Sequence, residues 1–263
     1  MLSDVLACAQ RIAVLSSTPD ALAVPPDSFA TAQTSDGGAS ATLESTPSLR
    51  AASIQSNLAT IRASVQSMRF ADLCLPCTME SLLSNSSKTS AVQFHEVLDH
   101  PSLSICLIAF PPGSCIPLHD HPGMHVFTRV ISGELSITML DIEAPMPRAP
   151  IPPGTAVNVQ NLRTSAFKTG ECCCELSPVT GNIHGVACVG NRTALMLDVN
   201  IPPYKDDNCH FFAVTKSGAE LSVIDEALAW SKSSCDLISE FSGGGAPDSR
   251  SSRSATKKDR RRK

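Results

Sequence analysis

The sequence predicts a mainly β fold: a small β-barrel with a few flanking helices and disordered tails. Three observations carry that expectation. Beyond Val92 the chain breaks into short apolar runs separated by Pro, Gly and Asn, the texture of an antiparallel sandwich or barrel. Ahead of that region, two stretches place apolar residues at helical spacing. A Ser/Thr/Ala/Pro segment and a basic terminus carry too little apolar surface to offset the entropy of ordering the chain.

Taken in order, residues 1–16 form a short helix, with Leu2, Val5, Leu6, Ala9, Ala13 and Val14 near helical spacing and Ser3 available as N-cap. Residues 17–47 are read as a disordered insert. Residues 48–240 form the main domain, opened by a second helix from Ser48 to Met68 whose one side carries Leu49, Ile54, Leu58, Ile61 and Val65. Strands are expected at Ile105–Phe110, His125–Ile131, Leu135–Leu140, Ala156–Val159, Gly185–Val189 and Ala194–Val199, with Ile131-Ser-Gly133-Glu-Leu135 turning a hairpin. Residues 219–239 are expected to close the domain as a helix. Residues 241–263 are a disordered basic tail, with a nuclear address or nucleic-acid contact as its functional alternative.

Composition removes several function classes. At 263 residues the chain accommodates one domain plus tails, with 42% hydrophobic and 17% charged residues. A net charge of −4 opposes a general nucleic-acid role, which needs clustered positive charge. Eleven cysteines without a basic start and apolar run read as reduced thiols in a cytoplasmic protein, the nucleus being reachable through the tail. Asp4, Asp20, Asp27, Asp36 and Glu44 in the first fifty residues oppose a mitochondrial leader. No run approaches the roughly 18–20 apolar residues of a membrane span, and a monomer is expected.

The chemistry concentrates at His119-Asp120-His121. On a strand, side chains at i and i+2 share a face, so both imidazoles would meet one metal ion. By itself His-x-His is a weak signal. Its surroundings add Gly113 before it and Gly133 closing the next hairpin, a spacing similar to the first motif of the cupin superfamily. Pro178-Val-Thr-Gly181-Asn182-Ile183-His184 resembles the second. The glutamate common in cupins after the second histidine is absent, its positions being His125 and Val126. Three neutral imidazoles suit ferrous iron that keeps positions open for substrate and O2, while zinc and copper remain alternatives.

Ile116-Pro-Leu-His-Asp-His-Pro-Gly-Met-His125, Gly181-Asn-Ile-His184 and Leu197-Asp198-Val-Asn-Ile-Pro-Pro-Tyr204 together resemble the thiol dioxygenase family of cysteamine dioxygenase and the plant cysteine oxidases, from about Val92 to Phe212. The resemblance implies a double-stranded β-helix, Fe(2+) on His119, His121 and His184, and O2 as co-substrate. It implies a hydrogen-bonding role for Asp198, toward a ligand imidazole or the substrate amine, and a substrate contact for Tyr204, the one tyrosine in the chain. Cys209 matches a cysteine that the family associates with a tyrosine crosslink, but Phe211 stands where that tyrosine would be, so the crosslink should be absent.

The implied activity adds both atoms of O2 to the sulfur of an aminothiol such as cysteamine, or of an N-terminal cysteine of a protein, giving a sulfinic acid. Two alternatives stand beside it: a non-catalytic metal- or ligand-binding cupin acting as sensor or scaffold, and a zinc or manganese cupin isomerase or hydrolase. Blander readings apply elsewhere. Asp198 can cap a turn, and His125 suits a structural or pocket role. His95, His100 and His210 read as surface or satisfied histidines. Cys74-Leu-Pro-Cys77 lacks a second pair to complete a zinc site, and Cys172-Cys173-Cys174 reads as strand packing.

Overall fold

The computed structural model describes residues 2–16, 46–171, 174–204, 209–215 and 220–230. The basic tail, and the Ser/Thr/Ala/Pro insert up to residue 45, lie outside them. Helix α1 (Leu2–Ser16) packs on α2 (Thr46–Ser67) through Val5, Cys8, Ala9 and Ile12 against Leu58, Ile61 and Val65, all buried. The buried stripe runs at 3.6-residue spacing from Val5, which leaves Val14 70% exposed and, on α2, Leu49 58% exposed, contrary to expectation. A 3-10 turn (Phe70–Leu73) and α3 (Met79–Ser86), capped by Thr78 accepting from the Ser81 amide at 3.2 Å, lead into the strands.

Eleven strands follow: β1 (Gln93–His100), β2 (Leu103–Phe110), β3 (Cys115–His119), β4 (His125–Ser132), β5 (Glu134–Ile142), β6 (Ala156–Lys168), β7 (Cys174–Leu176), β8 (Ile183–Cys188), β9 (Ala194–Ile201), β10 (Phe211–Val214) and β11 (Glu220–Ile224). One sheet runs β1-β2-β9-β4-β7. The other runs β10-β11-β6-β5-β8-β3 and closes on itself where Phe211 pairs with His119. The fold is the expected cupin-type double-stranded β-helix.

The strand β9 in the middle of the first sheet is buried on both faces. Leu195, Leu197, Val199 and Ile201 of β9 turn toward α1 and α2, while Ala194 and Met196 turn inward against Ile137, Val186 and Leu176. Alternation puts Asp198 and Asn200 on that inner side too. Each fully buried Leu or Ile contributes about 1.5–3 kcal/mol, so this double-faced packing is a principal source of stability. Arg129 of β4 fastens α2 to the sheet by donating to the Val65 carbonyl at 3.0 Å and to that of Gln66.

Two expectations are corrected. The closing helix begins instead as strand β11, because Leu221 and Val223 alternate with period two and pack with Phe212. Only Glu226–Ala229 (α4) is helical, and residues 231–239 lie outside the described set. The cysteines are not uniformly reduced: seven described cysteines are outside any disulfide, but Cys115 is disulfide-bonded. The expected hairpin at Gly133 is present. Its φ is +83°, and a Cβ there would sit 2.7 Å from the Ala194 Cα, so only glycine fits. Among the described residues, no helix is long and apolar enough to cross a membrane.

Candidate metal centre

Three buried histidines converge at one end of the barrel. His119 ends β3, and its Cα partner across the ladder is His184 of β8. His121 lies past the end of β3, in the loop before β4, so the shared-face argument for the pair does not apply as stated. A Pro122-Gly123 turn, closed by the Met124 amide on the His121 carbonyl at 3.1 Å, carries it to the same point. The His184 Nε2 is 3.1 Å from His119 Nε2 and 3.0 Å from His121 Nε2, and the three ligand atoms lie within 4.8 Å of one another.

Hydrogen bonds behind two of the rings identify their tautomers. His119 Nδ1 donates to the Pro117 carbonyl at 2.8 Å, which leaves Nε2 as a bare lone pair. Tyr204 donates its hydroxyl to the Asp120 carbonyl at 2.8 Å, so the 2.6 Å contact between Tyr204 Oη and His121 Nδ1 must be the imidazole donating. His121 Nε2 is therefore also bare. Burial lowers the pKa of His119, opposed by the Pro117 carbonyl. Burial and the neighbouring imidazoles hold His121 and His184 well below the usual range. All three are neutral at pH 7, the form that binds a metal.

The bare Nε2 atoms of His119 and His121 both face His184 Nε2, so a cation among the three would take the place of a proton on His184. With metal–nitrogen bonds of about 2.1 Å, donors at right angles stand about 3.0 Å apart and tetrahedral donors about 3.4 Å. The observed separations of 3.0 and 3.1 Å are short enough for one cation to be shared among the three histidines. Among the described residues no carboxylate joins the three histidines.

The support of His121 involves residues that sequence reasoning missed. Asn182 is wholly buried and donates to the carbonyls of His121 and Ser177, each at 2.9 Å. Gly181 beside it has φ +63° and gives its amide to Asp141 at 2.6 Å, in a space where a Cβ would meet Arg163 at 3.0 Å. Asp120, between the two histidines, is wholly buried. Its carboxylate accepts the His210 amide at 2.7 Å and His210 Nδ1 at 2.8 Å, while its own amide donates to the His210 carbonyl at 3.2 Å. His210 Nε2 donates to the Ala149 carbonyl at 3.0 Å. With both ring nitrogens donating, His210 is an imidazolium, and its hydrogen bond to Asp120 raises its pKa.

The remaining expected site residues fall as follows. Tyr204 is 36% exposed as a residue, but its hydroxyl is turned inward behind His121, and that enclosure pushes the phenol well above its usual range. Asp198 touches none of the three histidines. It accepts from Thr128 at 2.6 Å, and burial raises it to about 6. His125 stands apart from the triad, its Nδ1 buried and without a partner and its pKa lowered by burial to about 4. His184 differs from the other two histidines of the triad, since its Nδ1 is buried with no hydrogen-bond partner. Cys74 and Cys77 are exposed and free. Cys172 and Cys173 lie outside the described residues, whereas Cys174 packs inside β7 as expected.

Comparison with known proteins bears on this geometry. The PCO_ADO family model matches residues 58–239, which contain the whole centre. Human 2-aminoethanethiol dioxygenase is 29% identical over 203 residues, covering 70% of this chain and 72% of that protein. The mouse protein of the same name is 29% identical over 142 residues, covering 48% and 55%. Plant cysteine oxidase 2 of Arabidopsis thaliana is 28% identical over 156 residues, covering 58% and 54%. The chain thus spans about half the length of the last two.

Proposed function

Because this chain belongs to the PCO_ADO family, we propose that it is a non-haem iron thiol dioxygenase acting on cysteamine or on an N-terminal cysteine of a peptide, with O2 as co-substrate. The observation that carries the reading is the convergence of three neutral imidazole nitrogens at 3.0 and 3.1 Å with no carboxylate among them. His119, His121 and His184 would hold Fe(2+). Iron, when bound, lowers the pKa of a bound thiol and supplies the redox chemistry that carries both oxygen atoms to sulfur, the sulfinic step of cysteine oxidation.

The chain's own residues then have assignable tasks. Tyr204 and the Pro117 carbonyl keep the bare Nε2 of His121 and His119 facing the centre. Asp198, on the inner face of β9, accepts from Thr128 with one oxygen, and the other would accept from the substrate ammonium. Raised only to about 6, the carboxylate stays ionised near neutral pH, the form that contact needs. The buried cluster of Ile108, Val126 and Val186 keeps the barrel interior dry.

Anaerobic loading with ferrous iron, followed by cysteamine or a Cys-starting peptide and O2, should give a product heavier by two oxygen atoms in mass spectrometry. Retained iron with neither thiol oxidised would overturn the assignment and favour a binding cupin.

A further inference from the structure

The Pro-rich loop between β5 and β6 (residues 143–155) is built as a rigid lip of the metal centre. Pro145, Pro147, Pro150, Pro152 and Pro153 fix much of its backbone. Its far end is sewn to the barrel by the Gly154 amide on the Val223 carbonyl at 2.8 Å and the Val223 amide on the Thr155 carbonyl at 2.9 Å. Met146 and Ile151 pack on the core beneath. Two further ties run directly to the histidine segment. The Ala149 carbonyl accepts from His210, the partner of Asp120, and the Arg148 guanidinium donates to the Gly123 carbonyl at 3.2 Å, in the turn that follows His121.

Arg148 is exposed, and its bond to Gly123 uses one of five N–H donors. Among the described residues it has no carboxylate partner, unlike Arg163 at the same end of the barrel, which Asp141 engages at 2.8 Å. The guanidinium is thus held at Gly123, two residues beyond His121, so a chain that begins at the histidines and runs out past this turn would pass it. Cysteamine ends at its amine and has no carbonyl to offer there.

Resting on the dioxygenase reading above, we infer that Arg148 is a specificity-determining residue that takes the main-chain carbonyls following an N-terminal cysteine, so that this lip selects peptidyl over free aminothiols. The loop's fixed conformation lowers the ordering cost of that contact. Arg148→Ala removes the donors and leaves the Asp120–His210 tie in place. Arg148→Lys keeps the charge but loses the planar fork.

The test compares these variants with wild type on two substrates and adds a binding readout. The KM for a Cys-starting peptide should rise about tenfold in Arg148→Ala, the scale of one or two hydrogen bonds, with a smaller rise in Arg148→Lys. The kcat/KM for the peptide relative to that for cysteamine should fall by the same factor, since any slackening of the Gly123 turn would weigh on both substrates alike. Anaerobic binding of a fluorescein-labelled Cys-starting peptide to the ferrous protein should weaken by the same factor, a readout that survives even if no thiol is oxidised. Unchanged peptide KM and affinity, or equal losses for both substrates accompanied by lost iron, would overturn the proposal, the latter making Arg148 a brace of the Pro122-Gly123 turn. Absence of product from wild type with intact peptide binding would instead overturn the dioxygenase reading and leave the lip standing.

Discussion

The segments 119–121 and 181–184 bring histidines to the same point by opposite means. His184 sits within a strand, paired with His119 on one side and with Met139 of β5 on the other. Its backbone is fixed by two ladders, and its Nδ1 has no partner. His121 lies outside any strand and is held by side chains: Asn182 on its carbonyl, Tyr204 on its ring, and Asp120–His210 behind them. Sheet position can stand in for a tether on the ring. Where the sheet ends, buried polar partners must supply the same constraint.

Changes that break this contrast should have graded effects. His184→Ala and His121→Ala are each expected to abolish iron retention, read as metal content after desalting; iron retained by either would remove that residue from the ligand set. Tyr204→Phe should weaken iron binding about 10–100-fold, the range for lost outer hydrogen bonds to ligands, measured by chelator competition. A Tyr204→Phe protein that holds iron like wild type would mean that Asn182 and the Asp120–His210 pair hold the loop without the phenol. Asn182→Ala strands two buried carbonyls and should cost about 1–3 kcal/mol in stability, seen as a Tm lower by several degrees.

The smallest effect sharpens the contrast through pH. His210 has a raised pKa in the folded protein, so its contribution is fully present below the unfolded value of about 6.5 and is lost as pH rises through the folded one. His121 and His184 have lowered values, so burying them neutral costs stability only as pH falls through about 6.5. Denaturant melts of the iron-free protein should therefore show stability falling as pH drops below about 6.5 and falling again as pH rises through the raised His210 value. His210→Gln should flatten the alkaline side alone; loss of the acid side in that variant would mean the imidazolium is not where its bonds place it.

Much of this was legible in the sequence, though not always for the stated reason. The short apolar runs gave the strands because period-two burial leaves a direct trace, and Gly133 gave its hairpin because only glycine fits against Ala194. The triad was found from motif spacing, while the geometric argument for His121 assumed a strand that stops at His119. Asp198 and Tyr204 were picked out by resemblance, yet their contacts, to Thr128 and to the back of His121, could not be read from spacing. The Asp120–His210 pair joins positions 90 residues apart. Nothing local distinguishes that aspartate from one facing water, and only the closed barrel brings its partner to it.

The ring of the second sheet is shut by one bridge, Phe211 to His119, with the Asp120–His210 bonds directly beside it. Amide exchange in a folded protein proceeds by local openings that begin where the fewest bonds must break. The narrowest weld of this barrel is thus also the backbone of a histidine of the proposed metal centre. Breathing at that weld loosens His119 on one side while its pairing with His184 of β8 remains, so exchange of a bound metal and the deuterium uptake of residues 119–121 and 210–212 should rise and fall together.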